Sequence, residues 1–229
     1  MINQNEFDKK LNKFKNEEGR VPFMDMAQKL LKERKRDEAV LFILATWNFA
    51  SFRYVITKFD IGKFQNVLTE TQNKLKKLKK KKFEEIDFEN DEYKEEIIEI
   101  FECLSNENIT IKKDEEKPNS IGPTGASKVL YLLKPDLFIM WDSFIRREYP
   151  IKNYDSVSKY YTEIFKKNNY PNYKKTGEGY YKFLCDMHTL FIKDKKLKNP
   201  SKKTWPKVID EFNFIKISKT VGKKLKEKN

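Results

Sequence analysis

Residue types that could do chemistry, in a spacing that could hold them together, occur in one stretch: Ser120 to Arg147, SIGPTGASKVLYLLKPDLFIMWDSFIRR. Gly122, Pro123 and Gly125 mark a tight turn, and Ala126, Val129, Leu130 and Leu133 follow at helical spacing. Lys134-Pro135-Asp136 ends that helix, because proline disfavours the helical state of its predecessor and has no N–H to donate. An apolar run, Leu137 to Trp141, then delivers a single carboxylate, Asp142, to the start of a new segment. Backbone N–H groups at a helix start favour an anion, and a fixed carboxylate can stabilise a developing cation or orient an attacking water. The plainer role for Asp142, or for Ser143 beside it, is to cap a helix.

This stretch resembles the helix-hairpin-helix DNA glycosylases, which carry Leu-Pro-Gly-Val-Gly-x-Lys-Thr-Ala, a helix, and then Pro-x-x-x-Pro-Val-Asp-x-x-Val-x-Arg. Gly122 looks like the second hairpin glycine, Ala126 like the family's alanine, Asp142 like its catalytic aspartate, and Arg146 or Arg147 like the later basic residue. The eighteen residues from Thr124 to Asp142 equal the family's distance between hairpin lysine and aspartate. By motif, the resemblance covers about thirty of the 229 residues.

What it implies is an all-α protein of two helical lobes with a DNA-binding groove between them. Residues 36–134 would form the central lobe, ending in the hairpin and its second helix, and residues 1–35 plus 135–229 a second lobe carrying Asp142. The activity implied is that of a DNA glycosylase, which flips a damaged or modified base and hydrolyses its N-glycosidic bond to leave an abasic site. Base-excision repair and defence against phage with modified bases would both use that chemistry. Double-stranded DNA is the expected partner and Asp142 the expected catalytic residue. The expected DNA contacts are Ser120, Gly122, Thr124, Gly125, Lys128, Ser143, Arg146 and Arg147. No metal and no cofactor are expected, and a monomer is.

The chain departs from the family at three points. Asn119 and Ser120 stand where Pro-Gly is usual, and Thr124 stands where members that also cut the strand have a Schiff-base lysine. Thr124 has no amine, so simple hydrolysis is implied. Lys128, one helical turn further on, is either a substitute amine or a surface lysine touching phosphate. The iron–sulfur loop of many members needs four cysteines, and only Cys103 and Cys185 are present.

A flipped base must stack in a pocket. Trp47, Phe49, Phe52, Trp141 and Tyr181 are the aromatic candidates, and the competing role for each is core packing. Asn48 and Arg53 join them, because polar groups on an otherwise apolar helix need a partner. The same spacing also suits an inert helical DNA-binding protein that uses the hairpin for phosphate contact alone. His188, the only histidine, reads as a packed side chain beside Met187 and Leu190.

Composition sets the outer bounds. With 48 Lys plus Arg against 35 Asp plus Glu, the formal charge is +13, which points to a polyanionic partner, nucleic acid first. A lysine-rich solvated surface would give the same count. Hydrophobic residues make up 38% and aromatics 14%, enough to fill a core. No apolar run approaches the ~20 residues needed to cross a bilayer, and the start, MINQNEFDKK, lacks a signal-peptide core, so a cytoplasmic protein is expected.

The elements that must position the motif read as helices almost throughout, with only 7 glycines as punctuation. A helix capped by Asp37 and running to about Phe59 has almost no polar face, which makes it central. Residues 74–82 read as a basic extension or connection, 91–104 as an amphipathic helix, and 106–120 as a loop. Further helices are expected over 155–167 and 179–192 and from Thr204-Trp205-Pro206, with a frayed tail from Ser218.

Overall fold

The structure is a computed structural model that describes residues 3–17, 21–88, 93–112, 118–142, 145, 173–193 and 197–219. Nine α-helices and no strand occur among the described residues: α1 (Gln4–Glu17), α2 (Val21–Lys32), α3 (Arg36–Trp47), α4 (Phe49–Ile56), α5 (Ile61–Leu75), α6 (Lys94–Asn106), α7 (Gly122–Leu133), α8 (Gly177–His188) and α9 (Trp205–Asn213). The expected all-α class is what is observed. No single described helix is long and apolar enough to cross a membrane.

Local chemistry accounts for several of the boundaries. The Asp60 carboxylate accepts from Lys63 N–H at 3.1 Å and caps α5, and the Thr176 hydroxyl caps α8 through Gly179 N–H at 3.2 Å. α7 starts at Gly122, whose φ of +69° suits glycine, carries Pro123 in its first turn, and stops before Lys134-Pro135. α9 likewise carries its proline, Pro206, in the first turn. After α5 the lysine-rich segment makes only a 3₁₀ turn, Lys76–Leu78. The helix expected over 155–167 lies outside the described residues.

One expectation fails clearly. The helix expected to run from Asp37 to Phe59 is two helices, bent by 118° at Asn48. Asp37 does not cap it either. It sits inside the first turn, where its carboxylate accepts from Arg36 Nε (2.8 Å) and Gln65 Nε2 (3.0 Å). The bend lets the segment bury two different faces. α3 buries Ala39, Val40, Ile43 and Leu44, and α4 buries Phe52 and Val55 in a new direction.

α6 and α7 pack together at the centre, with α5 and α8 against α6, and α2 and α3 against α7. α1 packs on α9, where Phe7 meets Phe191, Trp205 and Phe212 with ring centroids 5.7 to 6.2 Å apart. One apolar cluster of buried residues runs from Phe7 to Phe212. Residues 107–121 link α6 to α7. Its described start, residues 107–112, folds back on the end of α4 through a Phe59–Thr110 bridge and hydrogen bonds from Asp60 N–H to Ile109 O (2.9 Å) and Ile111 N–H to Lys58 O (2.8 Å).

Candidate functional site

The glycine turn and Asp142 are held in one rigid relation by two side chains. Ser127, fully buried on α7, accepts the Trp141 N–H at 3.2 Å. Its single proton is shared between the carbonyls of Trp141 (3.1 Å) and Thr124 (3.0 Å). In return the Trp141 indole N–H donates to the Pro123 carbonyl at 3.2 Å, inside the turn itself. The Trp141 ring is enclosed by Phe101, Tyr180 and Phe183, with centroids 5.0 to 5.6 Å away. Tyr180 also donates its hydroxyl to the Ile139 carbonyl at 2.8 Å, fixing the run Leu137 to Trp141 from its other side. Each aromatic pair adds about 0.5–1.5 kcal/mol beyond its buried area. The residue that leaves this clamp is Asp142. Its side chain is half-buried, and Oδ1 accepts from Ile145 N–H at 2.8 Å.

The bend between α3 and α4 lies against the same turn. Asn48, buried at the bend, donates from Nδ2 to the Ile121 carbonyl at 3.3 Å, and Lys128 Nζ donates to the Trp47 carbonyl. Gly125 makes the approach possible. A Cβ there would lie 2.9 Å from Asn48 Nδ2 and 3.2 Å from Leu44 Cδ2. The Trp47 indole nitrogen is buried and has no hydrogen-bond partner among the described residues.

α9 contributes carboxylates that sequence reasoning missed. Burial pushes the Asp210 carboxyl up to about 6, the Lys207 ammonium pulls it back, and the Glu211, Asp142 and Lys128 charges are all felt there. Lys207 Nζ lies 3.6 Å from Asp210 Oδ2, with each side chain 15% exposed. Glu211, almost fully buried, is held by Lys203 at 2.6 Å and Lys207 at 3.7 Å. The Tyr131 hydroxyl, one turn beyond Lys128 on α7, is driven well above its ordinary range by burial first and then by Asp210 and Glu211. Adjacent acids on a nine-residue amphipathic helix were the available signal, since one of two neighbours on so short a helix is apt to face inward.

Several expected assignments need correction. Phe52 and Trp141 are each 1% exposed and Tyr181 is buried, so none offers a ring face to a base. Tyr181 in addition donates its hydroxyl to the Phe88 carbonyl (2.8 Å). Asn48 finds its partner in the turn's own backbone rather than in a ligand, and Arg53 is not buried at all but lies over the exposed Tyr54. Ser120 turns inward, donating to the Ser105 carbonyl at 2.6 Å, and Gly125 is a packing glycine within α7. Gly122, Thr124, Lys128, Trp47 and Asp142 lie at or beside the turn. Ser143, Arg146 and Arg147 lie outside the described residues. His188 packs against Phe83 and Phe88, with centroids 5.4 and 5.2 Å away. Burial raises the thiols of Cys103 and Cys185 to about 11, which leaves little thiolate at neutral pH.

The chain matches no protein-family model, no curated protein and no solved structure.

Proposed function

We propose that this protein is a DNA glycosylase that hydrolyses the N-glycosidic bond of an altered base. The observation that carries the reading is the clamp through Ser127 and Trp141, which ties an anion-favouring glycine turn to one half-buried carboxylate. In this reading the N–H groups of Gly122 and Thr124 receive a DNA phosphate while Asp142 faces the sugar of the flipped nucleotide. As the C1′–N bond breaks, the sugar becomes cationic and the Asp142 carboxylate stabilises it. Water then adds its oxygen to C1′, and the base leaves with a proton. The strand stays intact, and nothing is oxidised or reduced. Lys128 brings a cation to the turn, and the buried Trp47 N–H is a donor that a base could satisfy.

Asp210 supports the same reading. A carboxylate kept largely from water beside another carboxylate and a lysine weakens the fold, and such groups concentrate at functional sites. The second reading, a DNA-binding protein without catalysis, is favoured by the Asp142 cap on Ile145 N–H, which gives that carboxylate a purely structural task. Incubation with duplexes carrying a panel of altered bases, followed by alkali, separates the two. Strand breaks that appear only after alkali support excision. No break with any duplex, despite tight binding, supports the second reading.

A further inference from the structure

The mechanism leaves one surface unused. α4 turns Phe52 and Val55 inward and leaves Phe49 (55% exposed), Tyr54 (41%) and Ile56 (51%) in water. Phe49, Arg53 and Ile56 fall on one stripe, at steps of four and three residues, and span about 10 Å. The Arg53 guanidinium lies 4.8 Å from the centre of the Tyr54 ring and donates to its hydroxyl at 2.7 Å. Ile111, also exposed at 74%, lies just past the end of α4, where its N–H donates to the Lys58 carbonyl.

Charge selects the partner. Although 35 of the 229 residues are acidic, residues 39–59 and 118–135 contain no Asp or Glu. These are the two segments that the Asn48–Ile121 and Lys128–Trp47 hydrogen bonds join. The two segments together carry aromatic rings, Arg53, Lys58 and Lys128, and no carboxylate of their own; Lys58 Nζ donates to Asn119 and Lys128 Nζ to the Trp47 carbonyl. Such a surface suits a polyanion that also carries flat apolar groups. Three half-exposed side chains amount to roughly 300 Å², well short of the ~800 Å² per partner of a stable protein interface. α4 is eight residues long, brief for a helix that lies in a membrane surface. A stacked base needs only one ring.

We propose that the outward stripe of α4 is a stacking surface for the bases of an unpaired nucleic-acid strand, lying beside the turn that would hold duplex phosphate. The inference does not depend on excision and holds equally for a protein that binds without cutting. Stacking is indifferent to base identity, because every base has a π-face, so the surface recognises unpaired strand rather than sequence.

The test uses the whole protein, fluorescence anisotropy and three labelled probes: a short oligothymidylate, a sugar-phosphate strand of equal length without bases, and the matching duplex. Phe49 is exposed, so its replacement spares the fold. Phe49→Ala is expected to weaken oligothymidylate binding about tenfold or more while changing the base-free strand and the duplex less than about twofold. Phe49→Tyr should restore binding. Unchanged oligothymidylate binding in Phe49→Ala, or an equal loss on the base-free strand, overturns the proposal. So does oligothymidylate binding that Phe49→Ala leaves intact while it abolishes sedimentation with anionic vesicles or converts a dimer to a monomer.

Discussion

Asp210 has to be understood through its cost. Its carboxyl, ordinarily near 3.8, is held at about 6 because burial penalises the ionised form more than Lys207 rewards it. Below pH 3.8 the group is protonated in both folded and unfolded chains and costs nothing. Between there and about 6 the unfolded chain ionises first, so stability falls as pH rises. Above about 6 the full cost is present, about 3 kcal/mol for a difference of this size. Asp210→Asn should therefore melt above the parent near neutral pH, with the gap closing as pH falls toward 4. Thermal melting of both proteins across that range checks it, and a parent that melts higher at neutral pH would contradict it. If the carboxylate is retained for function, the stabilised variant should also lose excision. Asp210 was hard to find in the sequence because a carboxylate on an amphipathic helix looks solvated until the packing of α9 against its neighbours is known.

At the scale of elements, the clamp between α7 and the run Leu137 to Trp141 decides where Asp142 points. Ser127→Ala removes the acceptor of the buried Trp141 N–H together with the donor to its carbonyl. An orphaned buried donor costs about 1–3 kcal/mol, so the variant should melt lower. It should also excise more slowly at temperatures where it remains folded, because the Asp142 main chain is then tied to the turn only through the Trp141 indole. Unchanged melting would contradict the clamp, and it is read in the same thermal scan.

The helices of this region were legible in the sequence from glycine, proline and apolar spacing, and α7 runs from Gly122 to Leu133 as those residues imply. The break at Asn48 was not. Residues 39–56 are apolar on nearly every side, so periodicity could not reveal that α3 and α4 bury different faces. The candidate site was legible to the same degree. Spacing located Asp142 and the turn, but the aromatic residues near them could not be sorted into core and surface from type alone. Trp141 and Phe52 proved to be core, while Phe49 and Arg53 lie outside.

For the molecule as a whole, one apolar cluster joins the described helices, and the chain carries a formal charge of +13. If duplex is held mainly through phosphates, binding releases counterions, and log affinity falls with log salt by about 0.9 for each phosphate neutralised. A titration of duplex binding against salt should give a steep straight line, and a flat one would contradict a phosphate-dominated surface. The role of Asp142 is read by single-turnover excision with the wild type and Asp142→Asn on a duplex whose altered base the wild type removes, with melting measured alongside. An amide keeps the size of the side chain and its bond from Ile145 N–H but deletes the charge that would face the sugar cation. The expected variant is folded, melts like the wild type, binds the duplex as well, and excises at least about a hundredfold more slowly. Excision at the wild-type rate by a folded Asp142→Asn protein would contradict that role.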